Sequence, residues 1–362
     1  MTTGEFNLTR LERVISGPGC ISQLGNELQR RNLQRAIIVT GKSLGESPLL
    51  DQLTTSAGTR CASVFRGIRQ HVPWSAVTEL QAEIQRVNAD CLISFGGGSP
   101  IDSAKVAIFK EVDRDLVHIA VPTTLSAGEY TPVAGVTDEA TKVKSGVSDP
   151  RILPRAVIND PALTLATPDW LWASTAMRAL DHAVEAAYSI RHHPLSDTLA
   201  TKAISLLVSN LKASMETTGT KQLEHRADCQ MAAWFSIYGA MNTRFGLSHA
   251  LGHQIGPRWN VPHGVTSCIT LPHAMRFMAG IARERFTPIT DGFGVRSAGE
   301  SATRAAEFIA GFGVPTRLRD AGVPQNEATS IAETVAHEVN KSQVIDRPVT
   351  TLEIATILKA AW

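Results

Sequence analysis

A chain of 362 residues, 43% of them hydrophobic and 19% charged, carries enough apolar material for two cores, and two soluble globular domains are expected. With 35 basic and 34 acidic residues the formal net charge is +1, which removes any electrostatic case for nucleic acid or an anionic membrane as partner. No window approaches the ~20 apolar residues of a membrane span, and the N-terminus lacks the unbroken apolar run of a secretion signal. The five cysteines (Cys20, Cys61, Cys91, Cys229 and Cys268) have no CxxC spacing, which fits reduced, mostly buried thiols and a cytoplasmic location.

Up to about residue 160, short β-branched apolar runs alternate with helical segments. "RAIIVTG" (35–41), "ASVFRGI" (62–68), "CLISFGG" (91–97), "LVHIAVPTT" (116–124) and "RAVINDP" (155–161) read as strands, and segments of helical period such as "WSAVTELQAEIQRVNA" lie between the first four. Strands alternating with helices predict a parallel, Rossmann-like α/β sheet. The turn-rich "INDPALTLATPD" marks a boundary, giving domains 1–162 and 163–362. Beyond it the pattern is all-α: "TPDWLWASTAMRALDHAVEAAYS" has Thr167 placed as an N-cap and Pro168 at the first helical position. "LSDTLATKAISLLVSNLKA", "ESATRAAEFIAGF" and "TTLEIATILKAAW" follow the same period.

"CLISFGGGSPIDSAK" is a strand, a glycine turn and a helix start. Glycines let the backbone approach a phosphate closely, and the helix N-terminus behind them favours negative charge. Ser99 adds a hydroxyl, and Asp102 is placed to cap the helix or meet a ribose. "GGGS" is not the GxGxxG fingerprint, and a plain tight turn is the competing reading. The second loop, "VPTTLSAGEYT", offers Thr123, Thr124, Ser126 and Thr131 at the carboxyl end of the next strand, where ligands of such sheets sit.

Most of the 11 histidines, His118 and His337 among them, read as surface or satisfied core residues. His249 and His253 in "LSHALGHQIG" share one helical face, and His263 in "NVPHGV" is placed to fold back on them. Such imidazoles suit a divalent metal or proton transfer. His182 belongs to a polar stripe of Ser174, Arg178, Asp181, His182 and Glu185. From spacing alone that stripe reads first as a solvated amphipathic face with local ion pairs, and second as part of a site.

Together "GGGSPIDSAK", "VPTT", "DPRILPRAVINDP", "HALGHQIG...PHG" with "LPHAMRF" behind it, and "RPVTTLEIATILKAAW" resemble the iron-containing (group III) alcohol dehydrogenases over nearly the whole chain. "TKVKSGVSDPRILPRAVINDPALT" leans toward the maleylacetate reductase branch, whereas "HALGHQIG...PHG" is nearer the metal-dependent alcohol dehydrogenases. The resemblance implies the dehydroquinate synthase-like fold, with an α/β domain that binds NADPH or NADH, an all-helical domain, an active site in the cleft between them, and a homodimer. It carries cofactor contacts over to Gly97, Gly98, Ser99, Asp102, Thr123, Thr124, Ser126 and Lys144, the last near the nicotinamide. In "VTGKSL", Gly41 stands where many members carry an acidic residue, so Gly41, Lys42 and Ser43 leave room for a 2′-phosphate.

The family's metal ligands map to position 178, His182, His249 and His263, and position 178 is Arg. A guanidinium does not deprotonate and cannot ligate a cation. Three arrangements are open. Arg178 stands in for the metal and polarises a carbonyl or pairs with a substrate carboxylate; Asp181 swings in as a substitute ligand; or the three histidines hold Fe²⁺ or Zn²⁺ unaided. The implied chemistry is hydride transfer between NAD(P)H and a carbonyl, that of an oxo acid, with Arg178, His182 and His253 catalytic and His253 relaying the proton. The rivals are a metal-dependent dehydrogenase of simple alcohols and aldehydes, a dehydroquinate-synthase-like lyase, and a nucleotide-binding protein without catalysis.

Overall fold

The computed structural model describes residues 6–141 and 144–362. They form two compact units, Leu8–Thr167 and, with residues 6–7, Pro168–Trp362. The first contains strands β1 (Arg13–Ser16), β2 (Ala36–Gly41), β3 (Cys61–Ile68), β4 (Cys91–Gly96), β5 (Val117–Pro122), β6 (Val133–Thr137), β7 (Lys144–Ser148) and β8 (Ala156–Asn159). Its helices are α1 (Leu24–Arg30), α2 (Lys42–Gly45), α3 (Leu49–Ala57), α4 (Trp74–Val87) and α5 (Gly98–Lys110).

Six strands make one parallel sheet in the order β1-β8-β5-β4-β2-β3, and β6 with β7 forms a separate antiparallel hairpin. Along β2, Ile37 and Val39 enter one core while Ala36 and Ile38 enter the other. Both faces are covered, which is why the strand reads as an unbroken apolar run rather than an alternation. The β2 chain leaves toward β3 and the β4 chain leaves toward β5 on the opposite side, so the carboxyl ends of β2 and β4 flank the topological switch point. β1 and the β6–β7 hairpin lie outside the sequence expectation.

The regular elements of the second unit's described residues are all helices: α6 (Asp169–Tyr188), α7 (Pro194–Asn210), α8 (Ala213–Glu216), α9 (Gly219–Ala240), α10 (Leu247–Trp259), α11 (His263–Met278), α12 (Thr287–Phe293), α13 (Ala298–Ala310), α14 (Ala332–Ser342) and α15 (Thr351–Ala361). α6 is its core, buried at every position from Trp172 to Tyr188 and packed against α7, α9 and α11. Its alanines permit close neighbours, and α11 packs tightly at Gly264, where a Cβ would lie 2.6 Å from the Ser174 carbonyl oxygen. Thr167 does not cap α6 as the sequence suggested. Pro168 occupies that position, and the Thr167 hydroxyl donates to the Thr123 carbonyl at 2.7 Å, tying the chain to the second polar loop. No helix among the described residues is long and apolar enough to cross a membrane.

His118 shows what the sheet does to a titratable group. Its Nε2 lies 2.8 Å from Ser94 Oγ while Nδ1 is buried without a partner. Burial first, then the Lys105 charge, push its pKa from 6.5 down to about 3. Between those values the unfolded chain takes up a proton that the folded chain refuses, so stability present above pH 6.5 is lost as pH falls, by about 1.4 kcal/mol per pH unit. The variant His118→Asn is expected to flatten this slope in urea titrations run across that pH window. An unaltered slope would remove His118 from the acid response.

Candidate active site

The residues of the α/β unit singled out for the cofactor, among them Gly41, Ser43, Gly97, Gly98, Ser99, Thr123, Thr124 and Ser126, lie at or follow the carboxyl ends of β2, β4 and β5. Gly96 closes β4 with φ at +139°, a backbone that side chains avoid, and turns the chain so that Gly97 is the N-cap of α5. No side chain caps this helix, so its first N–H groups are of the kind that can receive an anion. A Cβ on Gly97 would lie 2.9 Å from Thr124 Cγ2, and one on Gly98 would lie 3.8 Å from Ser126 Oγ. The two polar loops therefore meet, and the Thr123 N–H donates to the Gly96 carbonyl at 3.0 Å. Leu44 Cδ1 would lie 3.4 Å from a Cβ on Gly96, which brings α2, directly after Gly41, alongside this turn. Ser99 lies in the first turn of α5 and is partly accessible. Asp102 does not cap the helix: its Oδ2 accepts from the Gly135 N–H at 3.1 Å and so anchors β6. The Lys144 backbone opens β7 opposite Thr137, and its side chain lies outside the described part.

In the helical unit the stripe on α6 is not solvated. Ser174, Arg178, Asp181, His182 and Glu185 are all buried, because α10 and α11 bring matching polar groups onto that face. Glu185 takes the N–H groups of Gly246 (2.8 Å) and Ser248 (2.7 Å) and the Tyr188 hydroxyl (2.8 Å), so it caps α10 from outside that helix. Asp181 Oδ2 accepts from the Ser248 and Ser267 hydroxyls at 3.0 and 2.7 Å. Arg178 Nη1 donates to Ser267 Oγ at 3.3 Å and stands 3.6 Å from Asp181 Oδ2. Its Nε and Nη2 make no hydrogen bond among the described residues.

The histidines singled out in the sequence form a row. Ring centroids are 5.2 Å apart for His182 and His249, 6.3 Å for His249 and His253, and 5.6 Å for His253 and His263, the last two rings stacked. His249 also stacks on Phe245, and its Nδ1 lies 2.5 Å from Glu185 Oε2 and 3.7 Å from Asp181 Oδ2 without hydrogen-bond alignment. Burial first, then the Arg178 charge, hold His182 and His249 well below the usual imidazole range, so both are neutral. Burial and then the Glu185 charge push Asp181 up to about 7, against Arg178 and the two serine hydroxyls. His253 is exposed, with Nδ1 3.9 Å from Glu338 Oε1.

A divalent cation fits this wall. Asp181 Oδ1, His182 Nδ1 and both His249 nitrogens are buried without hydrogen-bond partners, and Asp181, Glu185 and His249 offer ligand atoms within 4.8 Å of one another. Asp181 is thus directed at His249 rather than at His182, whose neighbour it is in sequence. Arg178, beside Asp181, opposes that ion with its own charge. Ser248 and Ser267, which orient Asp181, carry no spacing signal that would single them out in the sequence.

The family model described as iron-containing alcohol dehydrogenase matches residues 12–161, and that of the C-terminal part of the Fe-containing alcohol dehydrogenase family matches 172–362. Maleylacetate reductase of Burkholderia cepacia is 30% identical over 98% of this chain and 96% of its own length. The 1,3-propanediol dehydrogenase of Klebsiella pneumoniae is 31% identical, with 96% of each chain covered. The crystal structure of maleylacetate reductase from Rhizobium sp. strain MTP-10005 superposes with a TM-score of 0.89 at 25% identity, covering 100% of this chain and 99% of that one. The chain belongs to the iron-containing alcohol dehydrogenase family and is an NAD(P)H-dependent oxidoreductase that interconverts carbonyl and alcohol groups.

Proposed function

We propose that this enzyme reduces the carbonyl of an oxo acid; relatives that it resembles are named maleylacetate reductase, a reductase of an oxo acid. The observation that carries the reading is Arg178: a buried guanidinium, held through one nitrogen by Ser267, with Nε and Nη2 left to pair side by side with a carboxylate. The nicotinamide hydride goes to the carbonyl carbon and a proton to its oxygen. His253 delivers that proton, its imidazole being exposed and standing between His249 and His263 in the row. Neutral His182 orients the substrate through its unpartnered Nδ1.

The cofactor lies on Gly97, Gly98 and Ser99, with Thr123, Thr124 and Ser126 beside its phosphates and Asp102 and Lys144 as further contacts. Gly41 and Ser43 face the adenosine ribose, and neither brings an acidic side chain against a 2′-phosphate. Fe²⁺ or Zn²⁺, held by Asp181, Glu185 and His249 or by His182, His249 and His263, would supply Lewis-acid polarisation when bound. The domain division 1–162 and 163–362, homodimer assembly and a cytoplasmic location belong to the same reading.

A steady-state panel of oxo acids, aldehydes and alcohols with NADH and NADPH, run on purified protein before and after chelation with metal analysis, tests it. Oxo acids should be reduced fastest, and NADPH should serve at least comparably to NADH. Turnover confined to simple alcohols and aldehydes would overturn the substrate reading. A preference for NADH on the order of a hundredfold would remove the role given to Gly41.

A further inference from the structure

Helix α5 begins at the glycine loop, and its second turn carries a lysine that has left water altogether. Lys105 is 0% exposed. Its Nζ donates to the Val133 carbonyl at 2.9 Å, to Thr131 Oγ1 at 3.3 Å and to the Gly128 carbonyl. An ammonium has three donors, and these three acceptors use them all. Asp102, one turn earlier on α5, holds the Gly135 N–H. Two charged side chains of one helix thus fasten the segment from Gly128 to Gly135 from its side.

That segment leads into the β6–β7 hairpin, in which Thr137 pairs with Lys144 and Val133 with Ser148. The charged and titratable groups around the ammonium are Asp102 on its own helix, Glu129 on the loop it holds, and His118 on β5. Glu129 Oε2 is buried without a partner, so Lys105 is also the nearest compensation for that carboxyl. An apolar side chain would fill the position at lower desolvation cost if packing alone were needed. What the amine adds is direction: three bonds to a loop that packing would leave free to slide.

We infer that Lys105 is a positioning residue for the nicotinamide cofactor, fixing the hairpin that carries Lys144 relative to the glycine loop at the head of the same helix. It touches no reacting atom. The inference rests on the cofactor placement proposed above. A nucleotide that ends at the phosphates needs only the glycine loop, whereas the complete dinucleotide needs the loop and the hairpin together.

The experiment compares full-length wild type, Lys105→Met and Thr131→Val by calorimetric titration with ADP and with NADH, and by steady-state kinetics. For Lys105→Met the ADP affinity should stay within about twofold of wild type while NADH binds about 30-fold more weakly, the scale of one lost set of charge-assisted bonds. KM for NADH should rise accordingly, with kcat at saturating cofactor largely retained. Thr131→Val, which removes one acceptor from the edge of the cluster, should shift NADH in the same direction by a few-fold. Equal NADH affinity in Lys105→Met overturns the inference, and so does a parallel loss of ADP and NADH binding, which marks general damage to the unit. Should Lys105→Met fail to fold, an unchanged ratio of ADP to NADH affinity in folded Thr131→Val overturns it. A wild type that binds neither ligand defeats the cofactor placement instead.

Discussion

Replacing Arg178 by Met is expected to lower kcat/KM for a carboxylate-bearing substrate on the order of 100- to 1,000-fold while the affinity for NADH holds. The first part follows from losing a preorganised cation at the point where substrate charge must be met. The second follows because Arg178 and the glycine loop belong to separate units of the chain. Stability should fall as well, by about 3 kcal/mol, since Asp181 at 0% exposure would lose the charge that stands 3.6 Å from it. The conservative variant Arg178→Lys should recover much of the stability and little of the rate. An ammonium supplies the charge but not the planar fork that leaves Nε and Nη2 free after Nη1 is tied to Ser267. Turnover of Arg178→Met within about tenfold of wild type on oxo acids would sink the assignment.

The α/β sheet was legible because its chemistry is local: four of the five apolar runs, those of β2, β4, β5 and β8, are buried on both faces and leave a continuous signature, while β3 at the sheet edge is only partly buried yet keeps a β-branched and aromatic run. β1 escaped notice because Arg13–Ser16 is short and lies at the sheet edge with its end residues exposed, so little apolar material marks it. The β6–β7 hairpin escaped for a related reason, since it stands apart from the six-stranded sheet and is held by Lys105 and Asp102 of α5.

The α6 stripe shows the opposite limit. Spacing placed Ser174, Arg178, Asp181, His182 and Glu185 on one face, but whether that face meets water or protein depends on Gly246, Ser248 and Ser267, some 60 to 90 residues away. Amphipathic period reports which residues share a face and is silent on what covers it. Asp181 is the sharpest instance. Its distance in angle from His182 on the helix is real, yet it turns the carboxylate toward His249 on α10, a partner that helix geometry alone does not supply.

A single methyl group separates the packing role of the glycine loop from its proposed ligand role. Alanine at Gly98 would place its Cβ 3.8 Å from Ser126 Oγ, an ordinary contact, at the first position of α5, where alanine is a better helix former than glycine. The fold should therefore tolerate Gly98→Ala with its melting temperature unchanged or slightly raised. NADH affinity should nevertheless fall by about ten- to a hundredfold, because the methyl stands where a phosphate oxygen must approach the backbone. Gly97→Ala is the contrasting case: its Cβ would meet Thr124 Cγ2 at 2.9 Å and Oγ1 at 3.2 Å, so stability and binding should drop together. Calorimetric titration with NADH alongside thermal melts of both variants reads the two effects separately. Wild-type NADH affinity in Gly98→Ala would mean that no phosphate rests on this turn, and the three glycines would then serve only to pack β4 and α5 against the Thr124 loop.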